Sequence, residues 1–189
     1  MLFILFNWLY IFITTYLTGF GILCALKKAF GWTPRRISTC VMTGLVALTA
    51  YAQWFSLFYR VNAEANLILI AVDLLIAVIL RKQLLRFTGD ALGEMGSGKK
   101  TAVFLLILVC AYFTSRGSYI SDTNLYHAQC IRWLEEYGIL KGLANIQSRA
   151  AYNSSSFCLS ALFSMKYIFG QSMHALQGFT ALLLGTVCL

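Results

Sequence analysis

The side chains best suited to chemistry gather in one polar stretch. Asp122, Tyr126, His127, Arg132, Trp133, Glu135, Glu136, Lys141 and Arg149 all fall within residues 116–152, the one long polar segment of a 189-residue chain. A carboxylate such as Asp122 can take the proton of an attacking sugar or lipid hydroxyl. Arg132, Arg149 and Lys141 can hold a departing phosphate, for which the planar fork of arginine is better suited than an ammonium. His127 can pair with that phosphate or assist the proton transfer, the two roles open to an imidazole. The aromatic faces of Tyr126 and Trp133 suit sugar rings. Each residue also has a plainer role: Asp122 as a helix-start carboxylate favoured by the dipole, His127 as a packed interfacial side chain, Arg132 and Arg149 as headgroup anchors, and Glu135 and Glu136 as solvated charges.

Spacing predicts the element that carries them. Residues 121–123 are capping types, Gly138 is a common helix terminator, and Leu125, Ala128, Ile131, Leu134 and Tyr137 recur at helical intervals. An amphipathic helix over about residues 123–137 follows, with its apolar stripe on a membrane surface or against a bundle. Asp122, Tyr126, Gln129 and Trp133 fall at steps of four, three and four on a neighbouring face, and Arg132 and Glu136 pair at i, i+4. Asp122 and His127 stand about 140° apart around such a helix, which argues against a shared metal site unless the helix begins after Asp122.

The rest of the chain is built for a membrane. It is 59% hydrophobic and 12% charged, with a mean hydropathy of +0.73. A soluble domain carries about twice that charged fraction, so a water-facing globule is excluded and an all-α, polytopic transmembrane helix bundle is expected. Apolar runs at residues 2–26, 37–59, 66–80 (borrowing 61–65), 101–115, 151–169 and 173–189 predict five to six spans at about 20 residues per crossing. The last run is incomplete, so the chain is expected to be a fragment of a longer protein. Two parts are expected: residues 1–100, with three spans and a cytoplasmic linker, and residues 101–189, a span–loop–span unit around the external loop 116–152. Asp73 is an anomaly in the third span, where a charge is costly. It reads equally as a proton or cation site or as a paired group bonding a neighbouring helix, and Gln171, His174 and Gln177 read as interhelical partners.

The formal net charge of +8 comes from basic residues that bracket the apolar runs, which indicates topology rather than nucleic-acid binding. Lys27, Lys28, Arg35 and Arg36 in one loop and Arg81, Lys82, Arg86, Lys99 and Lys100 in another put nine cations on one side. That side is expected to be cytoplasmic, with the N-terminus and loop 116–152 outside and Lys166 back on the cytoplasmic side. The six cysteines include no CxxC pair and read as small core residues. Two motif matches are set aside. Residues 93–99 fit a phosphate-loop spacing, but Lys100 occupies the magnesium-binding Ser/Thr position. Asn153-Ser154-Ser155 matches a glycosylation acceptor, but its place suits the start of a helix better.

The run Asp122-Thr123-Asn124-Leu125-Tyr126-His127, followed by Trp133-Leu134-Glu135-Glu136-Tyr137-Gly138, Gly142-Leu143-Ala144-Asn145 and residues 149–154, resembles a poorly characterised branch of bacterial multi-span proteins. That branch is similar to the C-type glycosyltransferases, which use polyprenyl-phosphate sugar donors. The resemblance covers residues 121–163. It implies a bacterial inner-membrane enzyme of the cell envelope that transfers a sugar to a lipid or polysaccharide acceptor. Asp122 would be the base, Arg132 and Arg149 phosphate-side cations, and Tyr126, His127 and Trp133 substrate-positioning groups. Membrane lipids and a polyprenyl-phosphate-linked sugar are the implied partners. No motif demands a cofactor, and a divalent cation is left open. Thr123 stands where many members of the class carry a second acidic residue, and three spans precede the loop unit where usual members begin with it. The alternative is a non-catalytic or transport-type component of envelope biogenesis.

Overall fold

The structure is a computed structural model that describes residues 1–31, 36–117, 122–152 and 154–189. Arg35, Ser121 and Asn153, which enter the loop, capping and glycosylation readings above, lie outside the described residues. Among the described residues every regular element is helical. In chain order these are α1 (Leu2–Phe30), α2 (Ile37–Ser56), α3 (Ala63–Ile79), α4 (Arg81–Gly93) and α5 (Ser97–Ser115). A π-helical turn (Thr123–His127), α6 (Ala128–Glu136), α7 (Leu143–Ile146) and a 3-10 segment (Ser148–Tyr152) follow. The chain then forms α8 (Ser155–Leu162), α9 (Lys166–Phe169) and α10 (Leu176–Cys188).

Among the described residues two helices, α1 and α5, are long and apolar enough to cross a membrane, and α3 with α4 makes a third candidate bent by 84° at the break. The described residues thus support two or three crossings rather than the expected five to six, for three physical reasons. Ser38, Thr39, Thr43, Thr49 and Gln53 dilute the apolar character of α2. The expected span over 151–169 is not one helix: α8 stops at Leu162, and Met165 takes a left-handed conformation with φ 52° before α9 begins. At 13 residues, α10 reaches only about 20 Å, short of the roughly 30 Å hydrocarbon layer. The fourth run gains what it lacked, because α5 starts at Ser97 and takes in Lys99 and Lys100. Residues 81–93, expected as linker, are helix α4, and the anticipated domain boundary near residue 100 falls inside α5.

The chain forms two compact units, each assembled from separated stretches. The first comprises residues 1–47, 69–116 and 175–189. Its core holds Trp8, Ile11, Phe20 and Leu23 of α1, Ala111 of α5, and Leu176 and Phe179 of α10. The indole Nε1 of Trp8 donates to Ala175 O at 2.8 Å, which places the start of α10 on α1. Helices α1 and α2 touch backbone to backbone at Gly19 and Gly44. A Cβ at Gly19 would strike Cys40 O and one at Gly44 would strike Thr15 O, the close approach that small residues permit between apolar helices.

The second unit comprises residues 48–68 and 117–174. Ile131 and Leu134 of α6 are buried, as are Cys158, Leu159, Ala161 and Leu162 of α8; each large aliphatic buried this way contributes about 1.5–3 kcal/mol. The end of α6 is tied to the α2–α3 connection by Val61 N–H to Leu134 O and Ile139 N–H to Ser56 O, both 2.9 Å. Gly138 makes this possible. Its φ is +77°, and a Cβ there would sit 2.8 Å from both Ser56 O and Tyr59 O. Asn66 Nδ2 donates to Leu162 O at 3.0 Å, closing the end of α8 onto α3.

Candidate functional site

Asp122 stands immediately before the π-helical turn, where Ala128 N–H bonds back to Thr123 O, five residues earlier. A π-turn inserts one residue into the i, i+4 ladder, and such insertions recur at functional sites. The α-helix expected from residue 123 therefore begins only at Ala128, and the four-three-four face from Asp122 to Trp133 is not continuous. Along the expected apolar stripe Ile131 and Leu134 are buried in the unit, whereas Leu125 and Tyr137 are 59% and 60% exposed.

Four of the six candidate residues come together here. Asp122 Oδ1 lies 3.6 Å from Arg149 Nη1, with the two side chains 46% and 50% exposed. The Arg149 guanidinium sits 5.6 Å from the centroid of the Tyr126 ring. Tyr126 meets His127 edge to face at 4.2 Å, and His127 in turn contacts Phe157 at 5.2 Å. The 3-10 segment brings Arg149 to the π-turn. An ion pair this exposed contributes about 0–1 kcal/mol to stability, so Arg149 can exchange Asp122 for an incoming anion at little cost.

Arg132 and Trp133 are placed elsewhere. Arg132 Nε donates to Glu136 Oε1 at 3.1 Å. Trp133 lines a groove of about 190 Å³ with Cys130, Leu134, Leu143, Ala150 and Phe157, and no charged side chain is among its lining residues. Phe157 belongs to both the groove and the His127 contact, and Ala150 adjoins Arg149. The groove and the aromatic cluster beside the carboxylate–guanidinium pair therefore share the Phe157 ring.

A second acidic site in this unit corrects the reading of Glu135 as solvated, while Glu136 beside it is 30% exposed. The Glu135 side chain is fully buried. Its Oε2 accepts from Ser172 Oγ at 2.6 Å and lies 3.7 Å from Lys166 Nζ, while Oε1 is buried without a hydrogen-bond partner among the described residues. Lys166 Nζ also donates to Glu136 Oε1 at 2.6 Å. The Glu136 carboxyl is held below its ordinary range by the Lys166 and Arg132 hydrogen bonds. Burial pushes the nearby His174 imidazole below its ordinary value, with the Glu135 charge opposing. Lys166, expected on the cytoplasmic side beyond a fifth span, instead shares a compact unit with α6, because the span that was to carry it away is broken at residues 163–165. The signal for Glu135 was present in the sequence: it stands four residues after Ile131, in register with the buried face.

In the first unit, Asp73 Oδ1 accepts from Thr18 Oγ1 at 2.8 Å, and Oδ2 is buried without a hydrogen-bond partner among the described residues. Among the described residues no group of three or more His, Cys, Asp or Glu is arranged to hold a metal ion.

A family model described as "Domain of unknown function (DUF8201)" matches residues 1–189, and the chain belongs to that family. No curated protein and no solved structure matches it.

Proposed function

We propose that this DUF8201 family member is a membrane-embedded, C-type glycosyltransferase-like protein. It would move a sugar from a polyprenyl-phosphate donor to a lipid or polysaccharide acceptor of the cell envelope. The observation that carries the reading is the Asp122–Arg149 pair, exposed and flanked by Tyr126 and His127, with His127 against the Phe157 ring that also lines an apolar groove. In this reading the donor phosphate takes Arg149 from Asp122. The freed carboxylate accepts the proton of the acceptor hydroxyl, the hydroxyl oxygen bonds to the anomeric carbon, and the carbon–oxygen bond to phosphate breaks with its electron pair leaving on the phosphate. Arg149 holds that departing charge, where a planar double donor is effective. Tyr126 and His127 position the sugar, and Trp133 lines the groove that receives the lipid-like part of a substrate. Arg132 keeps Glu136 as its resting partner and is the weaker of the two phosphate-side candidates. The host membrane is the bacterial inner membrane, with residues 116–152 on its outer side.

The test is transfer itself. Membranes carrying the full chain are supplied with radiolabelled polyprenyl-phosphate sugar, and label is followed into extracted lipid and polysaccharide. Asp122→Asn is expected to lower transfer by about 10²–10⁴-fold, the usual contribution of a general base, with membrane insertion unchanged. Full transfer by that variant removes the mechanism.

The second reading, a non-catalytic or transport-type envelope component, is favoured by one observation, the half-satisfied buried carboxylate of Asp73. It predicts that Asp73→Asn abolishes the pathway's output in cells while Asp122→Asn leaves it intact.

A further inference from the structure

The first unit contains a larger cleft, of about 1140 Å³, where the C-terminal end of α1 meets the elbow between α3 and α4. Its floor is apolar, with Phe20 on α1, Ile76 on α3 and Phe87 on α4. Its rim is cationic, with Lys27 and Lys28 at the end of α1 and Lys82 and Arg86 on α4, opposed by the single carboxylate of Asp90. Among the described residues none of the four cations is in an ion pair. The walls are held in place by side-chain contacts: the Phe20 and Phe87 rings meet at 5.5 Å, and Tyr16 OH and Thr88 Oγ1 share a hydrogen bond of 2.7 Å.

The combination is selective. A free anion would satisfy the rim and leave the apolar floor wet, whereas an uncharged lipid would cover the floor and leave four cations without a counterion. A molecule with a phosphate head and hydrocarbon chains meets both. The 84° bend supplies the remaining geometry. If α3 runs across the bilayer, α4 turns to lie along its surface, which brings Lys82 and Arg86 to headgroup depth. We infer that this cleft binds one anionic phospholipid of the surrounding bilayer, its phosphate held by Lys27, Lys28, Lys82 and Arg86 and an acyl chain laid on Phe20, Ile76 and Phe87. The site involves no residue of the Asp122 site and stands or falls independently of it.

The full chain, reconstituted into nanodiscs of phosphatidylcholine with a minor fraction of phosphatidylglycerol, is re-extracted in mild detergent, and the lipid that stays bound is measured by mass spectrometry. Phosphatidylglycerol is expected to be enriched over phosphatidylcholine, and the double variant Lys82→Gln/Arg86→Gln to lose at least about tenfold of that enrichment. The charge-preserving exchange Lys82→Arg/Arg86→Lys, which controls for misfolding, should keep most of it. Lys99→Gln/Lys100→Gln removes the same charge outside the cleft and should leave enrichment intact. Equal loss in that control would reduce the effect to general surface charge and overturn the site. Two other results would also overturn it: no enrichment in the unmodified chain, or release of the lipid by millimolar inorganic phosphate alone, which would mark a phosphate site rather than a lipid site.

Discussion

Asp122 and Glu135 lie in the same compact unit and each faces a basic side chain, but their surroundings assign them opposite work. Asp122 meets Arg149 across 3.6 Å in partial solvent, beside two aromatic rings. Glu135 is sealed on the buried face of α6, with Ser172 on one oxygen and Lys166 shared with Glu136. Water decides the difference. The exposed pair gains little from its Coulomb attraction because solvent offers each partner nearly as much. A buried carboxylate has no such alternative, so removing one member of its set leaves a charge uncompensated. The exposed pair is free to change partners, and the buried one holds the architecture around it.

The largest effect that would sharpen this contrast is on stability at the buried site. Removing the half-buried positive partner of the buried Glu135 with Lys166→Met should destabilise the protein by up to about 3–5 kcal/mol, read as a lowered denaturation midpoint in detergent. A loss below about 1 kcal/mol would mean that Glu135 is not held by this ion set. Next comes the junction that seats α6. Gly138→Ala must place a side chain at positive φ and against Ser56 O and Tyr59 O, and should cost more than about 1 kcal/mol; an unchanged midpoint would show that the end of α6 is not docked on the α2–α3 connection.

The exposed pair should respond least. Asp122→Asn and Arg149→Gln are each expected to shift stability by no more than about 1 kcal/mol, while the first lowers the proposed transfer by about 10²–10⁴-fold. A large stability loss in either would erase the distinction between the two sites. Acid should act on the set around Lys166 through two groups. The His174 imidazole sits below its ordinary 6.5 and the Glu136 carboxyl below its ordinary 4.5. In both cases the unfolded chain binds the proton more readily, so stability is complete above the ordinary value and declines as pH falls through the folded one. A pH titration of the unfolding midpoint should therefore fall first below about 6.5 and again below about 4.5. His174→Gln should flatten the upper decline and Glu136→Gln the lower. Stability that rises on acidification would reverse both assignments.

Periodicity read α6 well in its middle and poorly at its ends. Ile131, Leu134 and the stop at Gly138 follow directly from helical spacing and the conformational freedom of glycine. The π-turn over 123–127 does not, because a one-residue insertion changes hydrogen-bond partners without changing the apolar pattern. Glu135 was misread for a related reason: a charged residue on an apolar face looks like an error in the pattern until a lysine thirty-one residues later and a serine thirty-seven residues later close over it. Asp122, Tyr126, His127 and Arg149 could be nominated from residue type and position alone. Only the 3-10 segment that returns Arg149 to the π-turn made them neighbours, and the same folding left Arg132 to Glu136 and Trp133 to the groove.

Composition by itself determined that this chain is helical and suited to a membrane, since a sequence so poor in charge must satisfy its backbone polar groups internally and hide its side chains from water. It also determined where α1 lies, because an apolar run of that length admits few alternatives. Tertiary structure decided how many of the remaining runs stay unbroken, which carboxylate is sealed and which is open, and where Lys166 finds its partners. Those outcomes depend on contacts between residues far apart in the chain, and the energy of a charge is set by what surrounds it in space rather than by its neighbours in sequence.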